Sequence, residues 1–361
     1  MQDDEFLKRV PLGWPVPWSA FWGPLVRKHG KPARDFQAVL QARADGCNLD
    51  PYPYQYASLD LYLATSGQFM GPSYRAYLAR FRTLVLSPSR VLDLGCGGGL
   101  LACAYATFFP EAQVVGVDRC QEAIAVARQL AARMGLSNVT FHQADLRRMD
   151  TLPGAPFDLV TSFHLIHEIL PQESPPDAFL LREVRPRRPG PRRQAVIDWL
   201  RAVVAPGGHL VSVERLPYDH ATLRWGRTLA KAGLEIDPGQ SAMLTVPAEA
   251  PHVQERFPML VARQRPGRVL CPPSRILDLH ATSDQGDLGI FEGARAERMF
   301  LALRWCKQLA SKEIQHGDGV EWRELWQGRG LLLLWVTTSL GYRRLELWPE
   351  GRREEVHARV A

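Results

Sequence analysis

One stretch of this chain spaces an aspartate, a run of glycines and a second aspartate so that they can grip a charged small molecule. Val91, Leu92 and Leu94 form a short apolar run around Asp93, the mark of a buried strand. Gly95, Gly97, Gly98 and Gly99 follow at once, and Leu100 to Phe109 is helix-like. A strand that passes through a glycine turn into a helix presents free backbone N–H groups at the helix N-terminus. The Asp93 carboxylate can receive an ammonium group, and the turn N–H groups can receive a carboxylate. A ligand carrying both is an amino acid or a derivative of one. The dinucleotide fingerprint G-x-G-x-x-G fails here, because the third glycine counted from Gly95 would fall at Leu100. A purely structural turn is the alternative. About twenty residues on, the run Val114-Val115-Gly116-Val117 ends in Asp118, with Arg119 beside it. An acid at the end of the second strand commonly holds ribose hydroxyls; capping of a helix that starts near Gln121 is the competing role.

A second group of candidates follows the fourth apolar run. Phe157 to Ser162 reads as a strand, and Phe163-His164-Leu165-Ile166-His167-Glu168 comes next. His164 and His167 are three apart and share a face if helical. Glu168 is then positioned to orient either ring, which would make a base with a carboxylate partner. Packing or helix capping by these histidines is the other reading, and two His with one Glu is weak ground for a metal site, so none is expected. His142 and Glu214 are lesser candidates.

The D-x-G-x-G arrangement of Asp93, Gly95 and Gly97 resembles motif I of the class I S-adenosylmethionine-dependent methyltransferases. The features after it keep the family's order: Asp118, then Val139-Thr140-Phe141 with Asp145 and Leu146, then Phe157–Ser162, then Ala205-Pro206-Gly207-Gly208 and the strand up to Val213. The resemblance covers about 87–265. It implies an α/β fold with a Rossmann-like, seven-stranded sheet, and S-adenosylmethionine as cofactor. It implies that Asp145 and Leu146 meet the adenine and that Phe163 flanks the methionine part. It further implies methyl transfer to an acceptor, expected to be a small molecule. An RNA or protein acceptor, or a non-catalytic scaffold, are the alternatives.

The elements that must position these residues divide the chain into three. Residues 1–86 are expected to form a helical segment or lid. Trp14, Trp18 and Trp22 recur every four residues there, and Tyr52, Tyr54 and Tyr56 are candidates for the cofactor mouth. Helices are expected at Ser58–Ala64 and Pro72–Leu84. Residues 87–265 alternate strand and helix as a parallel sheet requires, with strands closing at Ala242–Val246 and Phe257–Ala262. A proline-rich insertion follows Ile169, with a short helix expected around Asp177–Arg182. Residues 266–361 are expected to be an α+β module of unknown role, open to oligomerisation. It would hold a helix over Gly293–Glu313 and strands at Val320–Trp326, Leu331–Thr338, Tyr342–Trp348 and Glu354–Val360.

Composition narrows the class. The chain has 361 residues and is 46% hydrophobic, enough for a sizeable core. No apolar run approaches a membrane span, and the start, Met1-Gln2-Asp3-Asp4-Glu5, is acidic where a secretory leader would be basic. A cytoplasmic location is expected. The six cysteines show no paired spacing and suggest neither a disulfide framework nor a zinc site. The net charge of +6 owes much to Arg182, Arg185, Arg187, Arg188, Arg192 and Arg193. These form either a solvated loop or a contact for anions such as nucleic acid.

Overall fold

In a computed structural model of the chain, the structure describes residues 5–148, 152, 154–170, 189–216, 219–247, 254–267, 269, 279, 289–293, 296–297, 300, 307–317, 319–328 and 330–360. The chain divides into two compact units. The first holds Met1–Ile169, Asp198–Arg215 and Leu244–Gln264; the second holds Leu170–Ile197, Leu216–Met243 and Arg265–Ala361.

The first unit is built on strands β1 (Arg90–Leu94), β2 (Gln113–Asp118), β3 (Val139–Gln143), β4 (Phe157–Phe163) and β5 (Val204–Val213). They run parallel in the order β3-β2-β1-β4-β5. After the short β6 (Leu234–Ile236), β7 (Ala242–Pro247) and β8 (Gln254–Gln264) follow; β8 pairs antiparallel with β5, and β7 pairs with β8. This is the α/β, Rossmann-like sheet that the resemblance implies, with eight strands in place of the seven expected because the short β6 joins it. Strands β1 and β4 are almost wholly buried, as central parallel strands covered on both faces must be. Because β2 and β4 flank β1, Asp93, Asp118 and the residues after Phe163 all emerge at one carboxyl edge. Ligands bind in open α/β sheets at that edge.

Five helices precede the sheet: α1 (Glu5–Arg9), α2 (Trp18–His29), α3 (Lys31–Ala44), α4 (Tyr52–Gln55) and α5 (Leu59–Phe81). Phe6, Leu7, Leu59, Tyr62, Tyr77 and Phe81 share one hydrophobic core with the sheet and with the helix after the glycine turn, α6 (Leu100–Phe108). The two helices expected at 58–64 and 72–84 are one continuous α5, with Pro72 inside it. Pro72 removes one N–H, but fourteen of the 23 residues are buried, and that packing keeps the helix unbroken. The α5 side chains also hold the segment before α2. Gln68 donates to the Val16 carbonyl and accepts from its N–H, both at 2.9 Å, and Arg75 donates to the Leu12 carbonyl at 2.7 Å. The tryptophan periodicity does not mark the buried face: Phe21 and Leu25 are buried on α2, while Trp14 and Trp18 stay 54% and 40% exposed. Helix α2 begins only at Trp18, so the four-residue spacing from Trp14 has no helical meaning.

After β2 comes α7 (Gln121–Met134), with Ile124, Ala127, Leu130 and Ala131 buried along one face; a four-residue helix, α8 (Ile166–Ile169), follows β4. The helix expected at Asp177–Arg182 lies outside the described residues, as do Arg185, Arg187 and Arg188. Arg192 and Arg193 open the helix Pro191–Val203.

The second unit contains the helix Asp219–Lys231 and a five-stranded antiparallel sheet. Its strands are β9 (Gly289–Glu292), β10 (Lys307–His316), β11 (Gly319–Gly328), β12 (Leu331–Thr338) and β13 (Arg343–Pro349), in the order β10-β11-β12-β13-β9. Two expectations are corrected here. Lys307–Glu313 is strand, not helix, because it pairs along its length with β11. Residues 353–358 are helix, not strand. Val356 and Val360 are four apart and both buried, a spacing that serves a helix face as well as an alternating strand. Among the described residues no helix is long and apolar enough to cross a membrane.

Candidate functional site

A cavity of about 350 Å³ opens at the carboxyl edge of the first unit's sheet. Its floor is Asp93, Gly95, Cys96, Gly97 and Asp118; Asp145, Leu146, Phe163, His164, His167 and Glu168 stand around it, with Tyr52, Tyr56, Phe69 and Tyr74 from the N-terminal helices over it. The principal site candidates, Arg119 included, therefore border one space, whereas the lesser candidates His142 and Glu214 are not among its lining residues.

Asp93 is 2% exposed. Its Oδ1 accepts from the Thr161 hydroxyl at 2.9 Å, while its Oδ2 is buried without a hydrogen-bond partner. Burial pushes its carboxyl up to about 7, against the Thr161 bond, which favours the ionised form. A buried acceptor with nothing to accept is costly, and a cation at that oxygen would relieve the cost. The glycine turn is equally specific. Gly97 sits at φ +50°, and a Cβ there would lie 2.6 Å from the Tyr56 hydroxyl. Gly95 sits at φ +64°, and its Cβ would fall 2.8 Å from Leu165. Only glycine gives both the backbone conformation and the clearance.

Asp118 is already at work on the protein itself. Its Oδ2 accepts from the Gly97 N–H and its Oδ1 from the Cys120 N–H, each at 2.9 Å. It thus ties the glycine turn to the end of β2, and α7 has no side-chain cap, so capping is not what Asp118 does here. Burial raises its carboxyl pKa, partly offset by those two N–H groups. Each carboxylate oxygen retains a lone pair for a hydroxyl. Arg119 turns to Asp50, 3.2 Å away. Arg147 grips Asp145 through Nε and Nη2 at 2.9 and 2.8 Å, and the carboxyl is held down at about 2 by that guanidinium. Phe163 stacks against Tyr74 at 5.3 Å and against His164 at 4.3 Å.

The three acid–base candidates do not form one relay. His164 has φ +55°, rare for a side-chain-bearing residue, and its N–H donates to the Val213 carbonyl at 2.7 Å. Both its ring nitrogens are buried without partners, and burial first, then the charges of Arg215 and His167, drives its pKa well below 6.5. The ring is neutral. Glu168 accepts from the Tyr52 hydroxyl at 2.7 Å, so its carboxylate ties α4 to α8. His167 instead faces Glu214, with Nδ1 4.0 Å from Oε2.

Glu214 proves to be the organiser of this edge. It is fully buried, and accepts from Ser162 Oγ at 2.5 Å, Ser212 Oγ at 3.1 Å, and the Leu165 and Ile166 N–H groups at 2.9 and 2.8 Å. Polar Ser162 and Ser212 at the ends of apolar strands were the signal for it. Arg215, on the cavity wall, and Thr161, behind Asp93, have no comparable mark in the sequence. Tyr52 and Tyr56 reach the mouth, whereas Tyr54 is 41% exposed and does not.

Comparison with known proteins finds relatives of the segment that carries this sheet. Residues 87–224 match the family model described as a methyltransferase domain. Over 135 residues the chain is 27% identical to the release factor glutamine methyltransferase of Escherichia coli (strain K12), covering 36% of this chain and 47% of that protein. It is 38% identical over 96 residues to the trans-aconitate 2-methyltransferase of Azoarcus sp. (strain BH72), covering 27% and 35%. It is 34% identical over 128 residues to the ribosomal RNA small subunit methyltransferase G of Acidovorax sp. (strain JS42), covering 35% and 55%. The chain thus spans between about a third and about half of the length of these relatives. With the motif order, the sheet and the matched segment in agreement, residues 87–224 belong to the class I S-adenosylmethionine-dependent methyltransferase family.

Proposed function

We propose that this chain transfers the methyl group of S-adenosylmethionine to a small-molecule acceptor held in the cavity under the N-terminal helices. The observation that carries the cofactor assignment is the orphaned Asp93 Oδ2, buried beside a glycine turn that no other residue type could form. Asp93 would receive the ammonium of the methionine part, the glycine N–H groups its carboxylate, and Asp118 the ribose hydroxyls. Asp145, Leu146 and Arg119 border the place for the adenine, and Phe163 the place for the methionine chain. The cofactor, when bound, supplies a sulfonium that already activates the methyl group. What remains for the protein is to align a nucleophile, exclude water and manage a proton.

His167 is the residue we assign to that proton, because it lines the cavity and its Nδ1 lies 4.0 Å from the buried Glu214 Oε2. His164 would act as a neutral positioning wall, and Glu168 would hold Tyr52 over the site. The small-molecule reading is supported by Phe36, Tyr52, Phe69 and Met70, which line the cavity from helices packed into the same unit. The relatives' acceptors, by their names, include a release factor, ribosomal RNA and trans-aconitate. Incubation with methyl-labelled cofactor and a cell extract, then separation into small molecules, RNA and protein, tests the assignment. Label in the small-molecule fraction is expected; label confined to RNA, with binding that weakens steeply as salt rises, would favour the nucleic-acid reading instead.

A further inference from the structure

We infer that Arg215 is the specificity residue for the acceptor, anchoring a carboxylate carried on an otherwise apolar molecule; this rests on the methyltransferase reading above. Three arginines border the cavity. Arg119 is paired with Asp50 at 3.2 Å and Arg147 with Asp145 at 2.8 Å. Arg215 makes a 3.2 Å contact from Nη2 to the Met70 sulfur, and among the described residues no carboxylate lies within ion-pair distance of it. A thioether is a weak acceptor, while a guanidinium carries five donors in a fork matched to a carboxylate. Arg215 therefore offers this cavity a cation whose natural partner the described residues do not supply.

Its surroundings define the rest of the ligand. Met70 and Phe69 are neighbours on α5, Phe69 packs on Phe36 with ring centroids 6.1 Å apart, and Leu40 follows one turn later on α3. All four line the same space. A carboxylate on an aliphatic or aromatic body satisfies both the cation and this wall. A polyanion such as RNA does not fit, because it needs several cations along its path, and Asp93, Asp118, Asp145 and Glu168 also border the cavity. The cavity thus offers two opposite preferences, Asp93 for an ammonium and Arg215 for a carboxylate.

The test uses the full chain saturated with S-adenosylhomocysteine, and four probes: octanoate, phenylacetate, and the neutral octanamide and phenylacetamide. Calorimetric titration should find at least one acid bound tenfold or more tightly than its amide. Arg215→Met should abolish that preference while leaving amide binding within about twofold. Arg215→Lys, which keeps the charge but not the fork, should retain part of it and guards against a misfolded Met variant. S-adenosylmethionine affinity should change less than twofold in both variants. Equal binding of acids and amides to the wild type, or no binding of either acid, overturns the assignment. So does binding of hexauridylate in place of the acids. A fall of more than fivefold in S-adenosylmethionine affinity in Arg215→Lys would move Arg215 to the cofactor and also overturn it. If the wild type gives no heat with S-adenosylmethionine, the methyltransferase reading itself fails; cofactor binding without acid preference removes Arg215 alone.

Discussion

At the scale of single residues, the proton on Asp93 is the quantity to watch. Burial lifts its carboxyl to about 7, so near neutral pH a proton competes with any ammonium for the same oxygen. The sign follows directly. For an acid whose folded pKa is raised, the folded state gains protons, and lowering the pH removes the anion that the cofactor needs. Cofactor affinity should therefore be about tenfold weaker at about pH 5.5–6 than at about pH 7.5, with a second decline where an α-amino group of pKa roughly 7.7–8.0 loses its own proton. Asp93→Asn should lose the acidic limb altogether, and calorimetry across pH reads both. The same shift bears on stability. In the absence of cofactor, Asp93 destabilises the fold progressively as pH rises from its unfolded value near 4 towards 7, and contributes no further change above that. Asp93→Asn should flatten this part of the melting-temperature profile.

At the scale of elements, two buried devices hold the cavity. The first is Glu214, which fastens the start of α8 to the ends of β4 and β5 through two backbone N–H groups and two serine hydroxyls. Glu214→Ala strands those donors in the interior and should cost about 3 kcal/mol or more, each buried unpaired group accounting for roughly 1–3 kcal/mol. Glu214→Gln keeps the volume and should cost less; chemical denaturation ranks the two. The second device is the contact of α5 with the segment before α2. A Cβ on Gly67 would lie 2.8 Å from the Gly13 nitrogen and 2.9 Å from its oxygen. Backbone yields poorly, so Gly67→Ala should destabilise by about 1–3 kcal/mol despite the better helix propensity of alanine. Gly23→Ala meets only a flexible arginine end at 3.4 Å and should be neutral or stabilising.

These devices also separate what was legible in the sequence from what was not. The strand–turn–helix order was legible, because burial on both faces forces apolar runs and the turn at Gly95–Gly99 forces glycine. The floor of the site was legible for the same reason. The unbroken α5 was not, since Pro72 signals a break locally and only tertiary packing overrules it. The partners of Glu168 and His167 were not legible either. Sequence proximity suggested that they serve each other, but Tyr52 lies 116 residues from Glu168, and Glu214 arrives from the end of another strand. In the second unit, Val356 and Val360 fit both periods, and residues 307–313 were misread because strand pairing with β11 leaves no local trace.

At the scale of the whole molecule, the division into two units gives cofactor binding a localised signature. The cavity is lined from the first unit, while the second has its own core of Leu325, Leu332, Leu334, Trp348 and Val356. Hydrogen exchange with and without S-adenosylmethionine should show protection gained around Gly95–Gly99 and Asp118–Cys120, with none in β12 or β13. Equal protection in both units would contradict the assignment of the site to the first. The most direct test of the account remains a titration of the intact chain with S-adenosylmethionine and, separately, with NAD. A dissociation constant on the order of 10 μM for the former, within the ordinary range for enzyme substrates, is expected, with at least about thirtyfold weakening in Asp93→Ala, as loss of a buried charge partner should cause, and no heat from NAD. Heat from NAD and none from S-adenosylmethionine, or undiminished binding in Asp93→Ala, would contradict it.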